Sequence, residues 1–217
     1  MSAAHSLYPA FLSLKGIKVL VIGGGPVALR KVRTLVSAGA AVIVVAKEVM
    51  PALRRIKGVK IHLRAFRGAD LKNARLIFAA TNLPGLNTQI AMAARKQGAW
   101  VNVATPPAAG NLVVPSSIRR GKLCIAFSTG GASAAAAKTL RQELETRIDP
   151  AWGVLLDLLE KRRDVLKRTV ADPRKRRKLL QVLGSPAWLQ KVRKLGRVRA
   201  AQVMDREIAR GIRGSKR

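Results

Sequence analysis

Apolar and polar positions in the first two thirds of the chain follow two alternating rhythms. Unbroken apolar runs recur at 18–24 (KVLVIGG), 41–46 (AVIVVA), 74–81 (ARLIFAAT) and 100–105 (WVNVAT), with a more mixed run at 59–66 (VKIHLRAF). Each has the length of a strand, and apolarity that is continuous rather than alternating marks strands buried on both faces. Between the runs lie stretches with helical spacing. PVALRKVRTLVSAGA sets Val27, Leu29, Val32, Leu35 and Val36 on one approximate stripe, and further helices are expected around 49–57 and over 86–98. Strands separated by helices predict a parallel sheet covered on both sides, so residues 1–112 read as a Rossmann-like, doubly wound α/β domain.

The rhythm then changes. VVPSSIRRGKLCIAFS (113–128) predicts two short strands around a basic turn at Arg119, Arg120, Gly121 and Lys122, able to pair with its counterpart in a second subunit. STGGAS (128–133) opens an alanine-rich helix, with a Ser/Gly N-cap that also offers hydroxyls and amides to a carboxylate or phosphate. From 151 onwards the pattern is helical throughout. WGVLLDLLEKRRDVLKRTV puts Leu155, Leu158, Leu159 and Val165 on one side, a second helix follows Pro173, and SPAWLQ begins one or two more. Residues 151–217 therefore read as a small all-α C-terminal domain.

Composition narrows the possibilities. With 217 residues, 48% of them hydrophobic, the chain can bury a core. Its longest apolar runs fall far short of the roughly 20 residues that a membrane span needs, so no membrane helix is expected. MSAAHSLYPAFLSLKGIK lacks a basic segment ahead of an apolar one, so no secretory signal is expected and the predicted location is cytoplasmic. The lone Cys124 excludes an internal disulfide and a cysteine cluster for metal; it reads as a buried packing residue. Charge is the unusual feature, with 42 Lys and Arg against 11 Asp and Glu. Residues 1–150 hold 22 basic and 5 acidic residues, a net +17; residues 151–217 hold 20 and 6, a net +14. The excess thus runs through the chain rather than through an attached arm, and it attracts polyanions in general.

The turn after the first strand carries specific chemistry. Gly23, Gly25 and Ala28 form G-x-G-x-x-A: the first glycine permits the turn, the second lets a pyrophosphate reach the backbone, and the alanine lets helix and strand pack closely. The following helix N-terminus receives the phosphates. The acid expected about 20 residues on is displaced, since the second strand ends in Ala46 and Lys47 with Glu48 two residues late. Glu48 is placed either to reach a ribose hydroxyl or to cap the next helix, and Lys47 keeps NADP open beside NAD.

YPAFLSLKGIKVLVIGGGPVALRKVRTLVSAGA, FAATNLPGLNTQIA, VNVATPP and VVPSSIRRGKLCIAFSTGGASAAAAKTLRQELE, in that order, resemble precorrin-2 dehydrogenases, the amino-terminal module of siroheme synthases. The likeness runs from about Tyr8 to Leu144. It implies NAD-dependent oxidation of precorrin-2 to sirohydrochlorin, in some members joined to ferrochelatase activity. It further implies a homodimer in which residues 113–150 act as dimerisation segment and the small helical domain covers the site. Carried over residue by residue, it assigns Gly23, Gly24, Gly25, Pro26, Val27, Lys47, Glu48, Thr81, Asn87 and Asn102 to the cofactor. It assigns Thr129, Gly130, Gly131 and Ser133 to the tetrapyrrole, with Thr129 also a candidate catalytic position.

The departures are informative. Where the family has an aspartate assigned to catalysis and chelation, this chain reads NVATPP and has Thr105; the acids after the fourth strand are likewise lost in Thr81, Asn82 and Leu83. Within residues 1–142 the only acids are Glu48 and Asp70. A threonine hydroxyl forms hydrogen bonds but is no general base near neutral pH and binds divalent metal poorly. No metal ligands are assigned, and metal insertion is the implied activity most affected. The released proton has water, a substrate carboxylate, His62 or His5 as acceptors; a structural role is expected for His62 and none is assigned to His5. The tail clusters EKRRD, PRKRRK and RGIRGSKR lack the interleaved aromatics that stack bases, with Trp152 and Trp188 at packing positions, so nucleic acid is not the expected partner. The leading expectation is an NAD-linked precorrin-2 dehydrogenase. The alternatives are a non-catalytic paralogue that still binds tetrapyrrole or dinucleotide, and a binder of nucleic acid or anionic surfaces.

Overall fold

The computed structural model describes residues 7–213, so His5 lies outside the described residues. The chain forms two compact units, 1–114 and 115–217, each considered by itself.

In the first unit, β1 (Lys18–Ile22), β2 (Ala41–Ala46), β3 (Lys60–Leu63), β4 (Leu76–Ala79) and β5 (Trp100–Val103) form one parallel sheet in the order β3-β2-β1-β4-β5. Helices α1 (Pro26–Ser37), the single turn α2 (Pro51–Arg54) and α3 (Pro84–Lys96) each begin with proline, whose missing N–H costs nothing at that position. On one sheet face Val19, Val21, Val44 and Phe78 meet Ala28 and Val32 of α1. On the other, Leu20, Ile22, Ile77 and Val101 meet Ile90 and Ala94 of α3. Successive strand residues enter opposite cores, which is why the sequence shows continuous apolar runs. The doubly wound α/β fold expected from the sequence is the one observed.

Two local expectations are corrected. The helix expected over 49–57 is one turn, because Leu53 and Ile56 already fill the space against the α1 side of the sheet. The α1 stripe is Ala28, Leu29, Val32 and Leu35, while Val27 is 39% exposed: a helix starting at Pro26 turns residue 27 away from the sheet.

The segment after β5 doubles back along its open edge. Gly110 passes so close that a Cβ there would lie 2.6 Å from the Val101 carbonyl oxygen. Asn111 then imitates a neighbouring strand: its Oδ1 accepts from the Val101 amide (2.7 Å), its Nδ2 donates to the Ala99 carbonyl (3.2 Å), and its own amide donates to the Val101 carbonyl (3.0 Å). The edge is covered by a side chain and a loop instead of a sixth strand.

In the second unit, β6 (Ser116–Arg120) and β7 (Leu123–Phe127) pair with each other as an antiparallel hairpin. Its turn is Gly121–Lys122, so Arg119 and Arg120 belong to the strand rather than the turn. Cys124 is half-buried on β7, not a core residue. Then come α4 (Ala134–Arg147), α5 (Ala151–Thr169), α6 (Pro173–Leu183) and α7 (Pro186–Arg213), the last broken at Gly196, where φ is 70° and ψ 176°. Leu155, Leu158, Leu166, Trp188, Val192 and Met204 form the core. The α5 stripe therefore runs through Arg162 to Leu166, and Val165 is exposed, because a charged residue occupies the inward position. Arg162 donates to Asp205 Oδ2 (2.9 Å) and to the Ala201 carbonyl (3.0 Å), which clamps α5 to α7.

The hairpin rests on α5 at Gly153, where a Cβ would lie 2.7 Å from the Arg120 carbonyl oxygen. Alanine normally stabilises a helix interior by up to about 1 kcal/mol over glycine. Here Gly153→Ala is expected to lower stability by about 1–3 kcal/mol, because a backbone oxygen must move. A fall in the denaturation midpoint shows this contact; a rise would show that the hairpin yields freely.

Candidate functional site

The β1–α1 turn is shaped by backbone crowding. Gly23 has φ of 120°, and a Cβ on it would lie 2.2 Å from the Ala80 carbonyl oxygen at the end of β4. A Cβ on Gly24 would lie 1.9 Å from the Glu48 carbonyl oxygen beyond β2. Three hydrogen bonds hold this approach: Gly23 N–H to the Val45 carbonyl (3.0 Å), Met50 N–H to Gly24 (2.9 Å) and Ala80 N–H to Ile22 (2.8 Å). Gly25 differs from both. It has an ordinary φ of −85°, and nothing lies within 4 Å of the place a Cβ would occupy.

That open space sits over the start of α1. The first intrahelical bond runs from Leu29 N–H to the Gly25 carbonyl (3.0 Å), so the Val27 and Ala28 amides precede it; Pro26 has no N–H. No side chain caps them and the first turn holds no acid. Free amides under an open cradle, at the positive end of the helix dipole, fit a pyrophosphate. Lys47 and Glu48, both exposed, follow β2 beside the turn, where the second half of a dinucleotide runs.

The ends of β4 and β5 are joined by a buried amide. Asn87, on the first turn of α3, is fully buried. Its Nδ2 donates to the Thr81 and Thr105 carbonyls, both at 3.1 Å. Its Oδ1 accepts from the Thr81 amide (3.2 Å) and hydroxyl (2.8 Å). Every hydrogen-bonding position of the side chain is satisfied inside the protein, so it sets the spacing of the two strand ends. Thr105 is exposed with only its carbonyl engaged, which leaves its hydroxyl at the mouth of the crevice.

Asn102 is tied just as firmly. Its Nδ2 donates to the Leu112 carbonyl (2.9 Å), and its Oδ1 accepts from Lys31 Nζ (2.6 Å). Lys31, which nothing in the sequence marked, extends from α1 over the Phe78 ring, 5.2 Å from its centroid. It has no carboxylate partner. Burial, and then the neighbouring Arg30, bring its pKa down to about 8.

Two other ionisable groups of this unit are accounted for. Asp70 is held by Arg64 through two bonds (2.8 and 2.5 Å) and by the Arg67 amide, which keep its carboxyl below the ordinary range. It is a structural partner and no spare base. His62 lies on β3, at the sheet edge opposite β5 and four strands from Thr105, roughly 19 Å at one strand spacing per step. The geometry thus separates His62 from the crevice.

Thr129, Gly130, Gly131 and Ser133 belong to the second unit. Ser133 caps α4, its Oγ accepting from the Ala136 amide (3.1 Å). Thr129 donates to the Ser133 carbonyl (3.3 Å), and Gly130 and Gly131 both take positive φ, 63° and 86°. The loop is preformed and half-exposed. Among the described residues, no three His, Cys, Asp or Glu side chains cluster as metal ligands do.

Residues 10–116 match a family model described as "Putative NAD(P)-binding". The chain is 40% identical over 172 residues to a siroheme synthase of Pseudomonas entomophila, covering 78% of this chain and 37% of that protein. A siroheme synthase of Xylella fastidiosa is 35% identical over 210 residues, 95% of this chain and 44% of that one. The chain therefore spans well under half the length of these relatives. The solved structure of "SirC, precorrin-2 dehydrogenase" superposes with a TM-score of 0.78 at 26% identity, covering 92% of this chain and all of that one.

Two outcomes test this geometry. Gly25→Ala puts a methyl group into the cradle with no protein atom within 4 Å of it, so dinucleotide affinity is expected to fall at least tenfold at a stability cost of about 1 kcal/mol; equal affinity by calorimetry would place the pyrophosphate elsewhere. Lys31 gives a pH signature. Its folded pKa lies below its value in the unfolded chain, so between pH 8 and 10.5 the unfolded state holds more protons, and stability rises with pH across that window. Below about pH 8 both states are protonated and the destabilisation is at its full extent. Urea midpoints of the parent and Lys31→Gln at pH 7.5 and 9.5 should therefore differ in slope, the parent gaining more.

Proposed function

Because the chain belongs to the precorrin-2 dehydrogenase and siroheme synthase family, we propose that it oxidises precorrin-2 to sirohydrochlorin with NAD as hydride acceptor. One observation carries the reading: an uncapped α1 N-terminus beneath an open Gly25, at the switch point of a parallel sheet. The Val27 and Ala28 amides hold the pyrophosphate, and Lys47 and Glu48 take the adenosine half. The nicotinamide end lies against Thr81 and Thr105, whose carbonyls Asn87 fixes. Asn102 acts with Lys31 as a positioning pair beneath it.

Bound NAD supplies the hydride acceptor, so precorrin-2 and NAD give sirohydrochlorin, NADH and a proton. The chain's task is alignment of the two reactants. Thr105 offers a hydrogen bond to the substrate and no base, and Asp70 is engaged by Arg64; the proton therefore leaves to water or to a substrate carboxylate. Thr129, Gly130, Gly131 and Ser133 are assigned to the substrate's carboxylates, which the basic surface attracts. Ferrochelatase activity is not part of the proposal, since Thr105 lacks the donor that insertion needs.

A second copy of the chain completes the proposed assembly. No side chain of α4 is buried, and the β6–β7 hairpin buries only Ile118; both present unpartnered surface suited to a homodimer. No helix of the described residues is long and apolar enough to cross a membrane. The proposed compartment is the cytoplasm, where a lone unpaired cysteine is at home.

The replacement at Thr105 favours one other reading, a paralogue that binds without turnover. Mixing the protein with precorrin-2 and NAD decides between them. Sirohydrochlorin absorbance is expected with NAD and more slowly with NADP, with no metal insertion above the spontaneous rate when ferrous or cobalt ion follows. Thr105→Asp is expected to raise insertion at least tenfold. Saturable binding of both ligands without turnover would establish the paralogue instead.

A further inference from the structure

An open cleft of about 450 Å³ separates α5 from α6, and four cations line it: Arg163 and Lys167 from α5, Arg176 and Arg177 from α6. Pro173, Leu180 and Gln181 complete the lining. No acid lines it. The surrounding segment 161–178 contains ten basic residues and two acids, and both acids are otherwise placed. Asp172 caps α6, accepting from the Arg174 amide (2.8 Å), and Asp164 neighbours Arg163 without lining the cleft. Arg162 turns inward to Asp205, so it takes no part.

The four cations converge without a counter-charge. Arg163 and Lys167 stand four residues apart on one helix face, where like charges repel, and Arg176 and Arg177 face them across the gap. Arg176 is fixed in place by donating to the Val170 and Ala171 carbonyls (2.7 and 3.0 Å), which close the α5–α6 turn. Arg163, Lys167 and Arg177 make no hydrogen bond or ion pair with any described residue, so their donors face the cleft and solvent. Four cations without an acid, set around an open cleft, suit negative charge.

We propose that this cleft is a binding site for a small multivalent oxyanion, one bearing two or three phosphate or carboxylate groups. Guanidinium forks match either group in pairs. The volume lies at the lower end of small-molecule sites, which suits a di- or triphosphate or a di- or tricarboxylate. The site belongs to the helical unit and stands independently of the dehydrogenase reading.

Calorimetric titration of the full chain with pyrophosphate and with citrate, at an ionic strength matched with sodium chloride, tests the proposal. Saturable one-to-one binding of either is expected, weakened at least tenfold in the Arg163→Gln/Arg177→Gln double variant and changed less than twofold in Lys57→Gln. Both substitutions lie on exposed helix surface, and unchanged helicity and NAD affinity of the double variant separate this site from the glycine turn. Tighter pyrophosphate assigns a phosphate ligand; tighter citrate assigns a carboxylate. Absence of saturation with both probes, or equal losses in the double variant and Lys57→Gln, overturns the site and leaves only a diffuse charged surface.

Discussion

The first unit depends on how closely the β1–α1 turn approaches the strands on either side. β1 is the central strand, so the turn after it must pass the ends of both β2 and β4. Two glycines meet this demand in different directions, Gly23 toward the Ala80 carbonyl and Gly24 toward the Glu48 carbonyl. Neither position has space for a methyl group. The same crowding fixes where α1 begins, and with it the position of the amides that face the open side of Gly25. The open space over the start of α1 is thus a by-product of sheet packing, with Gly25 left free of steric demand.

A second layer of control comes from side-chain amides that complete backbone hydrogen bonding. Asn87 joins the ends of β4 and β5, Asn102 joins β5 to α1 and the following loop, and Asn111 covers the sheet edge. All three make bonds that a carboxylate could not, since each donates to a carbonyl. A chain with so few acids uses neutral amides for junctions. The two acids that residues 1–142 do contain follow the same economy: Asp70 binds Arg64, and Glu48 stands exposed beside the glycine turn.

The positive charge has different consequences in the two units. In the first, burial lowers the pKa of Lys31, and its position over Phe78 and beside Asn102 compensates part of its desolvation. In the second, one inward arginine is neutralised by Asp205, while those along α5 and α6 collect around a cleft without counter-charge. An excess of like charge is therefore not uniform repulsion. Helix geometry sorts it into paired, solvated and convergent sets, and only the last recognises a ligand.

The sequence by itself determined the parallel sheet, the glycine turn and the helical tail, because each is written in local periodicity or in spacing over a few residues. The resemblance to precorrin-2 dehydrogenases, drawn from sequence motifs, also marked Thr105 as standing where an aspartate is expected. What it left undecided required contacts between distant residues. That α2 is one turn, that Val27 and Val165 face outward, and that Arg162 faces inward depend on which surface each helix covers, and periodicity alone does not choose between adjacent stripes. Asn87 and Asn102 were singled out in the sequence as candidate cofactor residues, but the engagement of Asn87 with carbonyls 6 and 18 residues away, and of Asn102 with one 10 residues away, was not legible there. Lys31 carried no signal among 42 basic residues, and the clusters EKRRD and PRKRRK were legible as basic runs but not as two walls of one cleft. Only the tertiary structure decided which charges meet protein, which meet water and which meet one another.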